Sequence, residues 1–239
     1  MSEGRTNDSE AERAPSRRAF LLRRLHSLSG VLPVGVFLIV HLWTNASAIG
    51  GREPFDHAVD EIQKLPVLPL VEVVGVLLPL AFHAIFGVYL AMQGRPNVGR
   101  YSYGRNWSYV FQRITGGIAF LFILTHLWEL RIQKWLFGLS HHAFYDTLAS
   151  HLGSVKFGAP WMALFYLVGI GVSVFHLANG LVTSTLTWGI VTTRGAQRRL
   201  TWVVASLGIV LFLLGASTVL SLSTGTTVST AATPKATCP

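Results

Sequence analysis

The sequence predicts an all-α integral membrane protein, a bundle of five transmembrane helices with its N-terminus in the cytoplasm and its C-terminus outside. Three observations carry this. The 239 residues are 51% hydrophobic and only 13% charged, against roughly 25% charged in a soluble domain. The apolar residues gather into five blocks, near Leu25–Ser47, Val67–Met92, Tyr109–Leu130, Pro160–Thr183 and Leu200–Ser221. At about 1.5 Å per residue each block crosses a hydrocarbon core of roughly 30 Å. The connecting segments alternate in basic content, as spans of alternating direction require.

In chain order, residues 1–16 are polar, small and of mixed charge, and are expected to be disordered on the cytoplasmic side. The membrane domain is expected over residues 17–222. Arg17, Arg18, Arg23 and Arg24 introduce the first block, which is too long for the apolar region of a signal peptide. The next loop mixes signs (Arg52, Glu53, Asp56, Asp60, Glu61, Lys64), whereas the second carries Arg95, Arg100, Arg105 and Arg113 with no acid. The third is again mixed, and the fourth holds Arg194, Arg198 and Arg199. The basic N-terminus and the second and fourth loops therefore face the cytoplasm by the positive-inside rule. Trp43, Trp128, Trp135 and Trp161 then fall at the outer interface, and Tyr101, Tyr103, Trp107 and Tyr109 at the inner one. The net charge of +8 belongs to these orienting loops, so a lipid bilayer and not a nucleic acid is the expected partner. Residues 223–239, rich in Thr and Ser, are expected to form a disordered outer tail. Its Cys238 is the single cysteine, which leaves no disulfide within the chain, no Cys-ligated cluster and no c-type haem attachment.

Four of the nine histidines lie inside apolar spans, one to a span: His41, His83, His126 and His176. An ionisable residue at membrane depth is costly and marks function. Each follows the start of its span by about sixteen residues, or roughly 24 Å. Spans one and three run outward and spans two and four inward. His41 and His126 therefore share an outer level, and His83 and His176 an inner one. A histidine from each of two facing helices can clamp one flat porphyrin by its two axial positions. Gly75, Pro79, His83 and Gly87 form one stripe, and Gly169, Ser173, His176 and Gly180 another, with small residues above and below each ligand. The outer stripes, Gly30-Val34-Phe37-His41 and Thr115-Ala119-Phe122-His126, are less open.

Other candidates are secondary. His26, Ser27 and Arg113 fall at the inner surface, where each is a candidate contact for a haem propionate. Glu72 is the carboxylate set well inside an apolar run, which makes it a candidate proton or quinone residue. Glu129 falls nearer the outer interface, and His57, His141, His142 and His151 fall in outer loops, where solvated side chains are expected.

Many residues outside the generic apolar pattern carry a resemblance. They include Arg23-Arg24-Leu25-His26-Ser27-Leu28, Tyr101-Ser102-Tyr103 with Arg105-Asn106-Trp107, and Gln112-Arg113-Ile114-Thr115-Gly116. His126-Leu127-Trp128-Glu129, Phe175-His176 with Asn179-Gly180, and Thr187-Trp188-Gly189 belong to the same set. From roughly Arg17 to Leu220 the chain resembles the cytochrome b558 membrane subunit of succinate dehydrogenase and fumarate reductase, of the di-haem, single-anchor type. The resemblance implies two b haems with bis-histidine ligation, His83 and His176 holding the one nearer the cytoplasm and His41 and His126 the one nearer the outside. It implies a multi-pass subunit of the bacterial cytoplasmic membrane that anchors a flavoprotein and an iron–sulfur subunit on its cytoplasmic face. Electrons from succinate would pass through both haems to a quinone, usually menaquinone. Fumarate-reducing relatives run the other way, and some carry a glutamate two residues before the fourth ligand, where this sequence has Val174.

Two other readings stay open from the residues alone. One is a di-haem b cytochrome of a different respiratory complex; the bc type, however, places two ligands on one helix, and this chain gives one to each of four. The other is a haem-free transporter with a histidine relay, which predicts more intramembrane carboxylates and no visible absorbance.

Overall fold

The computed structural model describes residues 17–227; the two expected disordered termini fall outside these, apart from residues 223–227. Five long apolar helices run alternately up and down: α1 (Arg17–Gly50), α3 (Leu68–Gln93), α4 (Gly104–Phe137), α6 (Trp161–Thr187) and α7 (Arg194–Thr224). Two shorter helices, α2 (Arg52–Gln63) and α5 (Phe144–Gly153), cap one end. This capped end is the far end below, and the end holding Arg17 the near end. No strand occurs among the described residues beyond a single bridge between Lys156 and Ala159.

Three of the helices, α1, α4 and α7, overrun their apolar blocks at both ends, and α3 and α6 do so at their C-terminal ends. Hydropathy marks the hydrocarbon layer, but Arg17, Arg18, Arg23 and Arg24 are good helix formers whose long stems reach the interface. The first helix therefore starts eight residues before Leu25, and the last ends two residues past 222, at Thr224. Three wide π-helical turns, Gly30–Gly35, Val71–Leu77 and Leu127–Ile132, interrupt α1, α3 and α4. Pro33 lies in the first, and Pro79 follows the second. Each lacks the N–H that would close an α-turn four residues back. The third turn begins directly after His126 and sets the direction of the side chains that follow it.

Within a bilayer, close packing rather than water exclusion holds helices together, and small residues allow it. The ring of Phe122 sits against the Gly169 backbone, and at Gly215 an added methyl would lie 2.9 Å from Ile170 and 3.2 Å from Leu42. The most extensive interface joins α6 and α7, followed by α4 with α6. The buried core (Leu42, Phe122, Tyr166, Ile170, Val174, Leu211) gathers in the far half between these helices and α1. By contrast α3 leans mainly on α1 and contributes no fully buried residue.

The caps were not expected from hydropathy. Their signal was a different period: Phe55, Val59 and Ile62 in α2, and Phe144, Leu148 and Leu152 in α5, each follow helical spacing. Phe55, Leu148 and Leu152 are buried against the bundle. Gly51, with φ +98°, makes the reversal from α1 into α2 in a conformation that side chains resist. Arg52 forks onto Asp146 and lies over the Tyr145 ring at 5.0 Å, joining the caps. The hydrogen bond from Arg52, helped by its charge, holds the Asp146 carboxyl below its ordinary range. A depressed carboxyl pKa stabilises the fold above the unfolded value, and that stability is lost as pH falls through the folded one. Asp146→Asn should therefore melt slightly below the parent at pH 7, with the gap closing below about pH 4. Paired thermal melts in detergent check this.

Candidate functional site

The structure brings the four intramembrane histidines together as two pairs. His83 of α3 faces His176 of α6 with ring centroids 6.1 Å apart and planes at 87°. His41 of α1 faces His126 of α4 at 5.6 Å and 75°. The levels are set by the helices that pass both. Gly30 lies against His83, and His41 is eleven residues further along α1; Gly116 lies against His176, and His126 is ten residues further along α4. The pairs are thus about 15–17 Å apart along the bundle.

Around the near pair, ring nitrogens are fixed by backbone. His83 Nδ1 donates to the His26 carbonyl at 3.0 Å, and His176 Nδ1 donates to the Gln112 carbonyl at 3.0 Å. A carbonyl only accepts, so both rings carry their proton on Nδ1 and leave Nε2 as the bare nitrogen. The Gln112 amide donates to the His176 carbonyl at 3.1 Å and approaches His176 Nε2 at 3.3 Å, while Asn179 holds Gln112 Oε1 at 2.7 Å. His26 stacks on His83 with centroids 4.1 Å apart and an interplanar angle of 9°. Arg113 lies over the Tyr109 ring, 3.4 Å from its centroid. His26 Nδ1 and Arg113 Nε are buried without a hydrogen-bond partner. Ser27 is half-buried beside His26.

At the far pair, His126 Nδ1 lies 3.2 Å from the Tyr166 hydroxyl, which itself donates to Glu129. His41 Nδ1 has the Asn45 side-chain amide at 3.4 Å. Phe37 and Phe122 stack on His41 and His126 at 5.1 and 5.9 Å. Glu129 also lines a cavity of about 320 Å³ with Trp128, Gln133, Leu139, Thr147 and His151.

The glycines that matter for the near pair sit elsewhere than the stripes on its own helices. A methyl at Gly30 would overlap the His83 ring, and one at Gly116 would lie 2.8 Å from His176 Cε1. Both glycines belong to the helices that carry the far pair. On the expected stripes, Gly87 instead receives His26 at 3.1 Å, Gly180 receives Gln112 at 3.2 Å, and Gly75 meets only its own helix. Glu72 is ion-paired with Arg131 of α4, whose guanidinium also lies 4.9 Å over Trp135. His141 and His142, expected to be solvated, flank Asp60 at 3.2 and 3.6 Å.

The donor set fits haem b. Two imidazoles bound to one metal at about 2 Å each on opposite sides set their ring centres about 6 Å apart. Both pairs stand near that value before any movement. Three of the four rings present Nδ1 to an oxygen partner, which is how a metal-binding histidine is usually held. The unpartnered Arg113 Nε is a donor of the kind that a carboxylate-bearing group would satisfy, and the unpartnered His26 Nδ1 is a second polar atom beside the near pair.

No protein-family model matches the chain. It is 41% identical over 198 residues to the succinate dehydrogenase cytochrome b558 subunit of Bacillus subtilis (strain 168), covering 83% of this chain and 94% of that protein.

Proposed function

The chain belongs to the succinate dehydrogenase cytochrome b558 family, and on that premise we propose that it is the di-haem membrane anchor of a succinate:quinone oxidoreductase. In this reading His83 and His176 hold one b haem and His41 and His126 the other, with His83, His176 and His126 bound through Nε2. Bound there, the haems supply one-electron transfer between an iron–sulfur subunit and a quinone, with menaquinone the expected species. The observation that carries the reading is the pairing of four intramembrane histidines, one from each of four helices, into two facing couples at metal-clamping separations.

The chain's own residues do the positioning. Backbone carbonyls of His26 and Gln112 hold the near-pair tautomers, and Gly30 and Gly116 leave room for the rings. His26, Ser27 and Arg113 are placed to meet propionates, whose negative charge the guanidinium would balance. Among the described residues, near-end segments carry Arg95, Arg100, Arg105, Arg194, Arg198 and Arg199 and no carboxylate, whereas the acidic side chains lie in the far half. That asymmetry supports a cytoplasmic near end, with the flavoprotein and iron–sulfur subunits docked there and the C-terminus outside a bacterial cytoplasmic membrane.

A reduced-minus-oxidised optical spectrum of the purified chain, with haem quantified per polypeptide, tests the proposal. Two b haems titrating in two steps are expected. A chain without haem would sink the electron-transfer reading, and a single haem would remove one pair, the far one first.

A further inference from the structure

Glu129 follows His126 by three residues on α4, and Tyr166 reaches both from α6. Tyr166 is 5% exposed, and its ring is packed among Phe122, Phe165 and His126. We infer that Tyr166 and Glu129 are positioning residues for His126, forming a directed hydrogen-bond chain that fixes its tautomer and strengthens Nε2 as an electron donor.

The direction follows from the chemistry of the three groups. A carboxylate only accepts, so the Tyr166 hydroxyl spends its one proton on Glu129. Its oxygen is then left to accept, and the proton it receives is that of His126 Nδ1. The bare nitrogen is consequently Nε2, on the side available to His41. A carboxylate at the end of such a chain polarises the imidazole more than a neutral partner does, because each donated bond strengthens the next. At the second oxygen of Glu129, His151 Nδ1 stands 3.9 Å away beside the cavity. The near pair has no counterpart, since both of its Nδ1 atoms end on neutral backbone carbonyls. The two sites therefore differ in the charge behind their ligands. The Leu127–Ile132 π-turn contributes to this arrangement, because it begins between the ligand and Glu129 and sets the direction of the latter.

The inference rests on the ligand assignment proposed above, and its test separates the two. In the purified complex, Tyr166→Phe keeps the ring and removes only the hydroxyl. Both haems should remain bound, while the far one-electron step moves to higher potential and the near step stays in place. Removing an outer-shell partner typically changes metal-site properties by tenfold or more, and tenfold is about 59 mV for one electron. Glu129→Gln, which leaves the aromatic packing untouched, should move the same step in the same direction by less, and it decides the matter if Tyr166→Phe does not fold. Two bound haems with both steps unmoved in the two variants would overturn the chain's role and leave the ligands standing. A parent complex with no haem would overturn the ligand assignment itself, and this inference with it.

Discussion

On the proposed ligand assignment, replacing His83 with alanine should lower the haem content from two b haems per chain to one, with the near reduction step gone and the far step in place. His83 comes from α3, the least buried of the five spans, and its ring is set by the His26 carbonyl, the stacked His26 ring and the Gly30 backbone. Alanine removes the nitrogen without adding bulk, so the bundle has no steric reason to rearrange. Gly30→Val gives the same result by the opposite route, since its side chain would occupy the position of the His83 ring while every donor remains. The near pair lies toward the basic end, so both variants should also recover less of the iron–sulfur subunit when the complex is purified. Haem quantified per polypeptide, together with a redox titration, is the measurement. Two haems retained in His83→Ala would remove the ligand assignment.

The second large effect concerns stability. Glu72 and Arg131 are 24% and 17% exposed at their side chains and neutralise each other between α3 and α4. Removing one partner of a buried pair strands the other charge, at a cost of 3–5 kcal/mol when burial is complete. With this residual exposure Glu72→Leu should destabilise the bundle by about 3 kcal/mol, near the low end of that range. The double variant Glu72→Leu, Arg131→Leu should recover most of the loss, because no charge is then left unpaired. Unfolding in detergent across the four-protein cycle reads the coupling directly, and additive losses would show that the pair contributes nothing as a pair. The same variants address the role expected for Glu72 from its depth alone. Quinone turnover that survives in the stable double variant would assign the carboxylate to structure.

The pairing of the histidines was legible before any coordinates. Hydropathy located the spans, the rise per residue converted position into depth, and alternating direction sorted four histidines into two levels. What could not be read was the surrounding shell. Gly30 belonged, by its spacing, to the stripe of His41, and only helix packing puts it under His83. Glu72 looked unpaired because its partner is 59 residues away on another helix, at the end of a long arginine side chain. Glu129 stood three residues from a histidine on one helix, a spacing that places two side chains on a shared face. The signal was present, but Tyr166, which joins them, is an uncharged aromatic in a different apolar span and carries no mark in the sequence.

The sequence by itself determined the class of protein, the number of spans, and the four histidines with their grouping by depth. Each of these depends on hydrophobicity and on distance along a helix, both one-dimensional quantities. The tertiary structure alone decided which atom is bare in the rings of His83, His176 and His126, which glycines receive the near-pair rings, and which charges cancel. Those depend on the rotation of each helix about its axis, and on turns that π-helical segments at Gly30–Gly35, Val71–Leu77 and Leu127–Ile132 shift away from regular spacing. Hydrogen bonds act over about 3 Å, so a rotation too small to alter any pattern of hydropathy is enough to choose their partners.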